Sequence, residues 1–164
     1  MAKRTYYDPV HQGINLDEEI PEEKMIMNLI DSFPFQRLRR IKQLGPASLT
    51  FHGSESSRFS HSLGVFCIAR RAFNKILQIN PELSEFKGLL YAATLLHDIG
   101  HGPLSHTSEE MFGINHEYWS AKIIREHPEI SIHLNNLHDS LNIQVADLLE
   151  GKETKCKLIQ TLVS

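Results

Sequence analysis

The stretch from Leu89 to Leu96 constrains the fold most, because its residues are apolar on nearly every side of a helix. A surface helix keeps one polar face, so a helix without such a face lies inside the protein. This central helix leads directly into His97 and Asp98 and ends at Gly100. Little of the 164-residue chain reads as strand. The sequence therefore predicts a mainly α fold, a single domain over residues 1–164, with minor β elements near the N-terminus.

Prolines, cap residues and apolar periodicity place the other elements. In chain order they are an extended or turn segment over Tyr6–Leu16, a helix over Glu22–Asp31, a helix from Pro34 to Gly45, a short strand over Ser48–His52, a helix capped by Ser60 and running to Ile79, a helix over Pro103–Phe112, and a helix capped by Asn115. Two or three further amphipathic helices are predicted after Pro128.

Composition excludes several classes of protein. The formal net charge of −3 disfavours a general nucleic-acid binder, which would normally be basic. Neither a signal-peptide core nor an apolar run of about 20 residues is present, so no membrane segment is predicted. Cys67 and Cys156 form neither a disulfide framework nor a zinc pattern, which favours a cytoplasmic location.

The chain has ten histidines, of which five fall in the middle of the chain and five are scattered in polar or loop-like contexts. Five of them lie near three acidic residues, and this set is His61, His97, His101, His106 and His116 with Asp98, Glu109 and Glu117. An ionised carboxylate is costly to bury without a partner. A lone buried His–Asp pair is more often a core hydrogen bond. With the other histidines nearby, His97 and Asp98 instead predict a site for one divalent metal ion, such as Mn, Fe, Zn, Ni, Co or Mg.

Glu109 follows His106 by three residues and would lie on the same helix face. A carboxylate in that position holds an imidazole in one tautomer and favours its protonated form, which suits a general acid. The pair His116–Glu117 repeats the association of imidazole with carboxylate. A purely structural helical domain would leave this clustering unexplained.

Two segments resemble the HD-domain superfamily of metal-dependent phosphohydrolases. They are SRFSHSLG (Ser57–Gly64) and HDIGHGPLSH (His97–His106), followed by a His–Glu pair. FQRLRRIKQLG (Phe35–Gly45) and DPVH (Asp8–His11) resemble the branch that hydrolyses deoxynucleoside triphosphates to deoxynucleoside and tripolyphosphate. The resemblance implies an HD-domain helical bundle in which His61, His97 and Asp98 bind the metal.

The resemblance also implies roles at the substrate. His106 would protonate the leaving 5′ oxygen, oriented by Glu109. His101 and His116 would contact phosphate or water, with Glu117 orienting His116. Arg58 would clamp phosphate oxygens, although alone it would more often be a surface arginine. Gln43 and Leu44 would pack against the deoxyribose.

Regulation is implied in the same way. Asp31, Gln36 and Arg39 match positions that hold an activating guanine nucleotide at a subunit interface, which implies a homo-oligomer. Arg37, Arg39, Arg40 and Lys42 would otherwise form a solvated helix face.

The chain departs from the family pattern at one important point. The fourth metal ligand of the family is an aspartate in a later helix, and neither Asp139 nor Asp147 has the expected context. The expectation is a chain truncated before that aspartate. Two alternatives remain, an HD phosphohydrolase acting on another nucleotide, and an inactive form that binds nucleotide or regulates a relative.

Overall fold

The computed structural model describes residues 3–152 and 156–163 and confirms the mainly α fold with a small N-terminal β element. The α-helices are α1 (Pro21–Asp31), α2 (Phe33–Gln36), α3 (Arg58–Leu77), α4 (Lys87–Leu96), α5 (His106–Phe112), α6 (His116–Glu126), α7 (Pro128–Asn135), α8 (Leu141–Leu149) and α9 (Lys157–Val163). Short 3-10 helices span Arg37–Arg40, Gly45–Leu49 and Pro81–Phe86. None of the helices in the described ranges is both long and apolar enough to cross a membrane.

The N-terminal segment is an antiparallel hairpin. Strand β1 (Lys3–Asp8) pairs with β2 (Gln12–Asp17), and the Asp8 carboxylate accepts hydrogen bonds at 2.8 Å from the amides of Val10 and His11 in the turn. Ile14 and Leu16 are two residues apart in β2, so both point from one face of the hairpin into the core.

Helix α4 is the centre of the fold, as its sequence predicted. Every residue from Gly88 to Leu96 is buried, and the helix packs against α1, α3, α8 and α9. The ring of Tyr91 meets Phe66 of α3 edge to face at 5.3 Å. The end of α4 therefore has a fixed position relative to α3, which matters because both helices carry candidate site residues.

The start of α3 differs from the prediction by one helical turn. Ser57, not Ser60, is the N-cap, and its hydroxyl accepts a hydrogen bond of 3.2 Å from the Ser60 amide. The helix therefore begins at Arg58. This places Arg58 and His61, three residues apart, on one face of the first turn.

Three other predicted elements were wrong in their bounds or type. The helix predicted over 34–45 ends at Arg40. The segment that follows pairs with the start of α3, where the Arg58 amide donates a hydrogen bond of 2.8 Å to the carbonyl of Ile41. The strand predicted over 48–52 is replaced by the 3-10 helix Gly45–Leu49 and a turn. The helix predicted from Pro103 begins at His106, because Leu104 and Ser105 have positive φ angles of 71° and 56°.

Candidate functional site

The turn that follows α4 carries three of the candidate residues and is held from two sides. On one side Arg37 donates to the carbonyl of His101 at 2.6 Å and to that of Ile99. On the other, the Ser120 hydroxyl of α6 donates to the carbonyl of His97 and accepts from the amide of Gly100, both at 2.9 Å. Four hydrogen bonds therefore tie the backbone of residues 97–101 to Arg37 and to α6.

The sequence did not predict that Arg37 and Ser120 hold this turn. Arg37 was assigned to a solvated helix face, and that assignment was wrong, because its guanidinium is partly buried and burial lowers its pKa. Ser120 is completely buried. It lies four residues after His116, so its place on the His116 face of α6 was the one available signal.

His61, His97 and Asp98 come together at the joint between α3 and α4. The two Nε2 atoms are 3.3 Å apart, and Oδ2 of Asp98 lies 3.5 Å from His61 and 3.4 Å from His97. The Nδ1 atom of His97 is 3.0 Å from the carbonyl of Thr94, a contact that suits an N–H donor. That tautomer leaves the Nε2 lone pair of His97 facing the other two ligand atoms.

This donor set fits a divalent metal ion. Lone pairs of two imidazoles and a carboxylate repel one another unless a cation or a proton lies between them. Burial lowers the pKa of His61, which favours the neutral ring that a metal ligand requires. Burial alone would raise the pKa of Asp98, but His101, His97 and Arg58 outweigh it and hold that pKa well below its ordinary value.

Arg58 is a buried partner of this trio. Its side chain is only 3% exposed, and it donates to Oδ2 of Asp98 at 2.6 Å and to the hydroxyl of Ser105. The alternative of a surface arginine is therefore wrong. The phosphate-binding role of Arg58 stays a prediction; in this structure its guanidinium contacts Asp98, a candidate metal ligand, and Ser105.

A second cluster surrounds Glu109 of α5. Its Oε1 lies 2.9 Å from Nδ1 of His106 and 3.2 Å from Nδ1 of His101, and its Oε2 lies 2.9 Å from Nδ1 of His116. Burial would raise the pKa of Glu109, but His116 and His101 lower it overall. Nε2 of His101 is 3.3 Å from Oδ1 of Asp98, so the two clusters are adjacent.

Glu117 does not orient His116 as expected. The carboxylate that contacts His116 is that of Glu109, whereas the Glu117 side chain is exposed and lines a cavity of about 340 Å³ beside His97 and His116. His116 and Glu117 are the first two residues of α6, so the Glu117 side chain points about 100° away from that of His116 around the helix. The other walls of the cavity come from the ends of α8 and α9.

The predicted sugar-contacting residues lie close to Arg58. The carbonyl of Gln43 accepts a hydrogen bond of 3.2 Å from Ser105, the residue that Arg58 also contacts. The side-chain oxygen of Gln43 is buried without a hydrogen-bond partner in the described part of the chain. Leu44 is 37% exposed.

The predicted activator residues lie on a separate surface. Arg39 donates to the side-chain oxygen of Gln36 at 2.7 Å, and Gln36 donates to the carbonyl of Ile30 at the end of α1. Asp31 pairs with Arg4 at 2.5 Å. Gln36 and Arg39 are thus brought together, while the carboxylate of Asp31 is engaged by the hairpin.

Comparisons with known proteins agree on one family. The HD domain family model matches residues 58–158, which include both clusters. The uncharacterized protein YwfO of Bacillus subtilis is 40% identical over 163 residues, 99% of this chain and 36% of its own length. The deoxynucleoside triphosphate triphosphohydrolase SAMHD1 of Bos taurus is 42% identical over 108 residues, 64% of this chain and 17% of its own length.

Solved structures give the same picture. A phosphohydrolase from Bacteroides thetaiotaomicron superposes with a TM-score of 0.76 at 28% identity, covering 99% of this chain and 38% of its own. A hypothetical protein from Aquifex aeolicus has a TM-score of 0.76 at 33% identity, with 99% and 41% covered. The chain therefore spans well under half the length of each of these relatives.

Proposed function

The chain belongs to the HD domain family, and from this we propose that it forms the metal-binding part of a phosphohydrolase that converts deoxynucleoside triphosphates to deoxynucleoside and tripolyphosphate. The observation that carries the proposal is the contact between two clusters with different chemistry. The ligand atoms of His61, His97 and Asp98 converge next to a second cluster, in which Nδ1 of His106 lies 2.9 Å from a carboxylate oxygen of Glu109. Metal-assisted hydrolysis of a phosphate ester needs both parts.

His61, His97 and Asp98 would hold the metal. A bound divalent cation supplies positive charge that polarises a phosphate oxygen and makes a bound water more acidic. Arg58 keeps Asp98 ionised and oriented, and the carbonyl of Thr94 keeps His97 in the tautomer whose Nε2 is free. The chain thus prepares the first ligand set through its own hydrogen bonds.

His106 is the group we assign to protonate the leaving oxygen. Its side chain is 63% exposed and its Nδ1 atom lies 2.9 Å from Oε1 of Glu109, so Nε2 is the nitrogen left to face a substrate. His101 and His116 stack at 3.9 Å beneath it, and we assign them to phosphate or water. We assign Glu109 to orient both His106 and His116, since its two oxygens lie 2.9 Å from their Nδ1 atoms, and Glu117 would contribute charge at the wall of the cavity.

The choice of substrate rests on two supports. One is the segment Phe35–Gly45, which resembles the triphosphohydrolase branch and brings Gln43 next to the Arg58–Ser105 pair. The other is the similarity to the deoxynucleoside triphosphate triphosphohydrolase of Bos taurus named above. On the same grounds we propose a homo-oligomer in which Asp31, Gln36 and Arg39 bind a guanine nucleotide activator.

Product analysis tests the proposal. The chain is incubated with Mn²⁺ and each of the four deoxynucleoside triphosphates, with and without GTP, and the products are separated by chromatography. We expect deoxynucleoside and tripolyphosphate, lost in Asp98→Asn and retained in the matched control Asp139→Asn, which alters an exposed loop aspartate. Release of monophosphate and pyrophosphate, or turnover only of other nucleotides, would overturn the substrate assignment. Absence of any turnover with metal bound would favour a nucleotide-binding role.

A further inference from the structure

We propose that His101, His106 and Glu109 form a second divalent-cation site, suited to a first-row transition metal such as Zn²⁺. Their ligand atoms lie within 4.8 Å of one another and are distinct from those of the first trio. Oε1 of Glu109 is the common point, 3.2 Å from Nδ1 of His101 and 2.9 Å from Nδ1 of His106.

Buried atoms without a hydrogen bond are the first support. His101 is completely buried, yet neither ring nitrogen makes an aligned hydrogen bond within the described residues, although each lies within 3.3 Å of a carboxylate oxygen. Oε1 of Glu109 likewise makes no aligned hydrogen bond within the described residues, although Nδ1 of His106 lies 2.9 Å from it. Unpaired buried polar groups are costly. A cation between Nδ1 of His101 and Oε1 of Glu109 would satisfy both atoms.

The arrangement of the rings is the second support. His101 and His106 stand perpendicular, at 90° with centroids 4.7 Å apart, so their Nδ1 lone pairs approach the carboxylate oxygen from different directions. Ligand atoms at about 2.1 Å from a tetrahedral ion are about 3.4 Å apart. The observed separations of 2.9 and 3.2 Å are close to that value. Two imidazoles and one carboxylate are donors that Zn²⁺ and its neighbours prefer.

His116 belongs to the surroundings of this site and not to its ligands. Its ligand atom also lies within 4.8 Å of the others, but its ring is stacked on His101 with an interplanar angle of 11°, so the lone pairs of the two rings lie in separate, nearly parallel planes. Its Nδ1 atom instead makes a hydrogen bond of 2.9 Å to Oε2 of Glu109. This contact fixes the carboxylate and leaves Oε1 for the ion, as outer-shell partners of metal ligands do.

Occupation of the second site has a consequence that rests on the proposed function. The ion would take the Nδ1 atom of His106 and Oε1 of Glu109, the two atoms whose contact orients the proposed proton donor. We therefore expect Zn²⁺ at concentrations that fill the second site to inhibit turnover supported by the first. Binding itself does not depend on any activity.

Metal stoichiometry tests the site directly. The chain is stripped with a chelator, dialysed to equilibrium against Zn²⁺ and analysed for bound metal, with circular dichroism as a check of folding. We expect two ions per chain for the unaltered protein and one for His106→Ala and for Glu109→Gln. The exposed His138 provides the matched control His138→Ala, which should keep two.

The variants also separate this inference from the proposed function. Asp98→Asn should lose the first ion and keep the second, whereas His116→Ala should keep both and bind the second about 10–100-fold more weakly. One ion per chain in the unaltered protein at saturating Zn²⁺, or two ions retained by both His106→Ala and Glu109→Gln, would overturn the second site. Neither result would bear on turnover with Mn²⁺, which tests the first site alone.

Discussion

Replacement of Gly100 by alanine would test whether the turn after α4 depends on its close contact with α6. A Cβ atom at position 100 would lie 2.2 Å from the carbonyl oxygen of His116 and 2.3 Å from the amide nitrogen of Ser120. Both are backbone atoms, so no side-chain rotation relieves the clash, and the turn must move away from α6. We expect a loss of about 3 kcal/mol, the upper range for overpacking, which corresponds to about 6–12 °C in Tm for a chain of this size.

Gly102 provides the matched control two residues further on. A Cβ atom there would meet only the hydroxyl of Ser108 at 3.4 Å, so Gly102→Ala should change the stability by less than about 0.5 kcal/mol. Thermal unfolding followed by circular dichroism measures both variants, and Zn²⁺ titration of Gly100→Ala should show weaker binding at the first site. Equal melting temperatures for the two variants would refute the view that this contact positions the turn.

Three further perturbations test other parts of the site and fold. Ser120→Ala should lower the free energy of unfolding by about 1–3 kcal/mol, because the two backbone groups that it bridges lose their partner, and an unchanged urea midpoint would contradict this. Arg58→Ala should cost about 3–5 kcal/mol, since Asp98 remains as an unpaired buried charge; chemical denaturation measures the loss, and a value below about 1 kcal/mol would contradict the pairing. Hydrogen bonds from Arg125 lower the pKa of Glu150 to about 2 from 4.5, so its stabilisation is complete above a pH of about 4.5 and is lost as the pH falls towards 2. The Tm difference between the unaltered protein and Glu150→Gln should therefore shrink between pH 6 and pH 2.5, and a constant difference would argue against the ion pair.

Local sequence signals predicted the secondary structure correctly where residues close in sequence determine it. The apolar stretch Leu89–Leu96 is the buried central helix. Asn115 caps α6 through a hydrogen bond of 3.0 Å from the amide of Tyr118 to its side chain, as its position before a helical run predicted. Both features depend on residues close in sequence, so their physical cause is visible in the sequence alone.

The predictions failed where distant segments decide the backbone. No residue between Arg40 and Gly45 would by itself end the helix that was predicted from Pro34. The Gln43 amide instead donates a hydrogen bond of 2.9 Å to the carbonyl of Ser56, so it is not available for a helical hydrogen bond. Pro103 is a good first helical residue, but Ser105 is drawn towards Gln43 and Arg58 and adopts a positive φ angle. Tertiary contacts override helix propensity in both cases.

At the candidate site, too, local sequence indicates the residue types, whereas distant contacts determine how the side chains are oriented. The sequence indicated a cluster of five histidines and three acids, and the structure brings all of them except Glu117 into two adjacent groups. Their orientation depends on contacts that no spacing encodes, since Arg37 and Ser120 bind backbone carbonyls of the turn and not its side chains. A carbonyl is present at every position, so sequence offers no signal for which one an arginine will reach. The residue types that cluster are therefore predictable from the sequence, whereas the backbone contacts that position them become visible only in the structure.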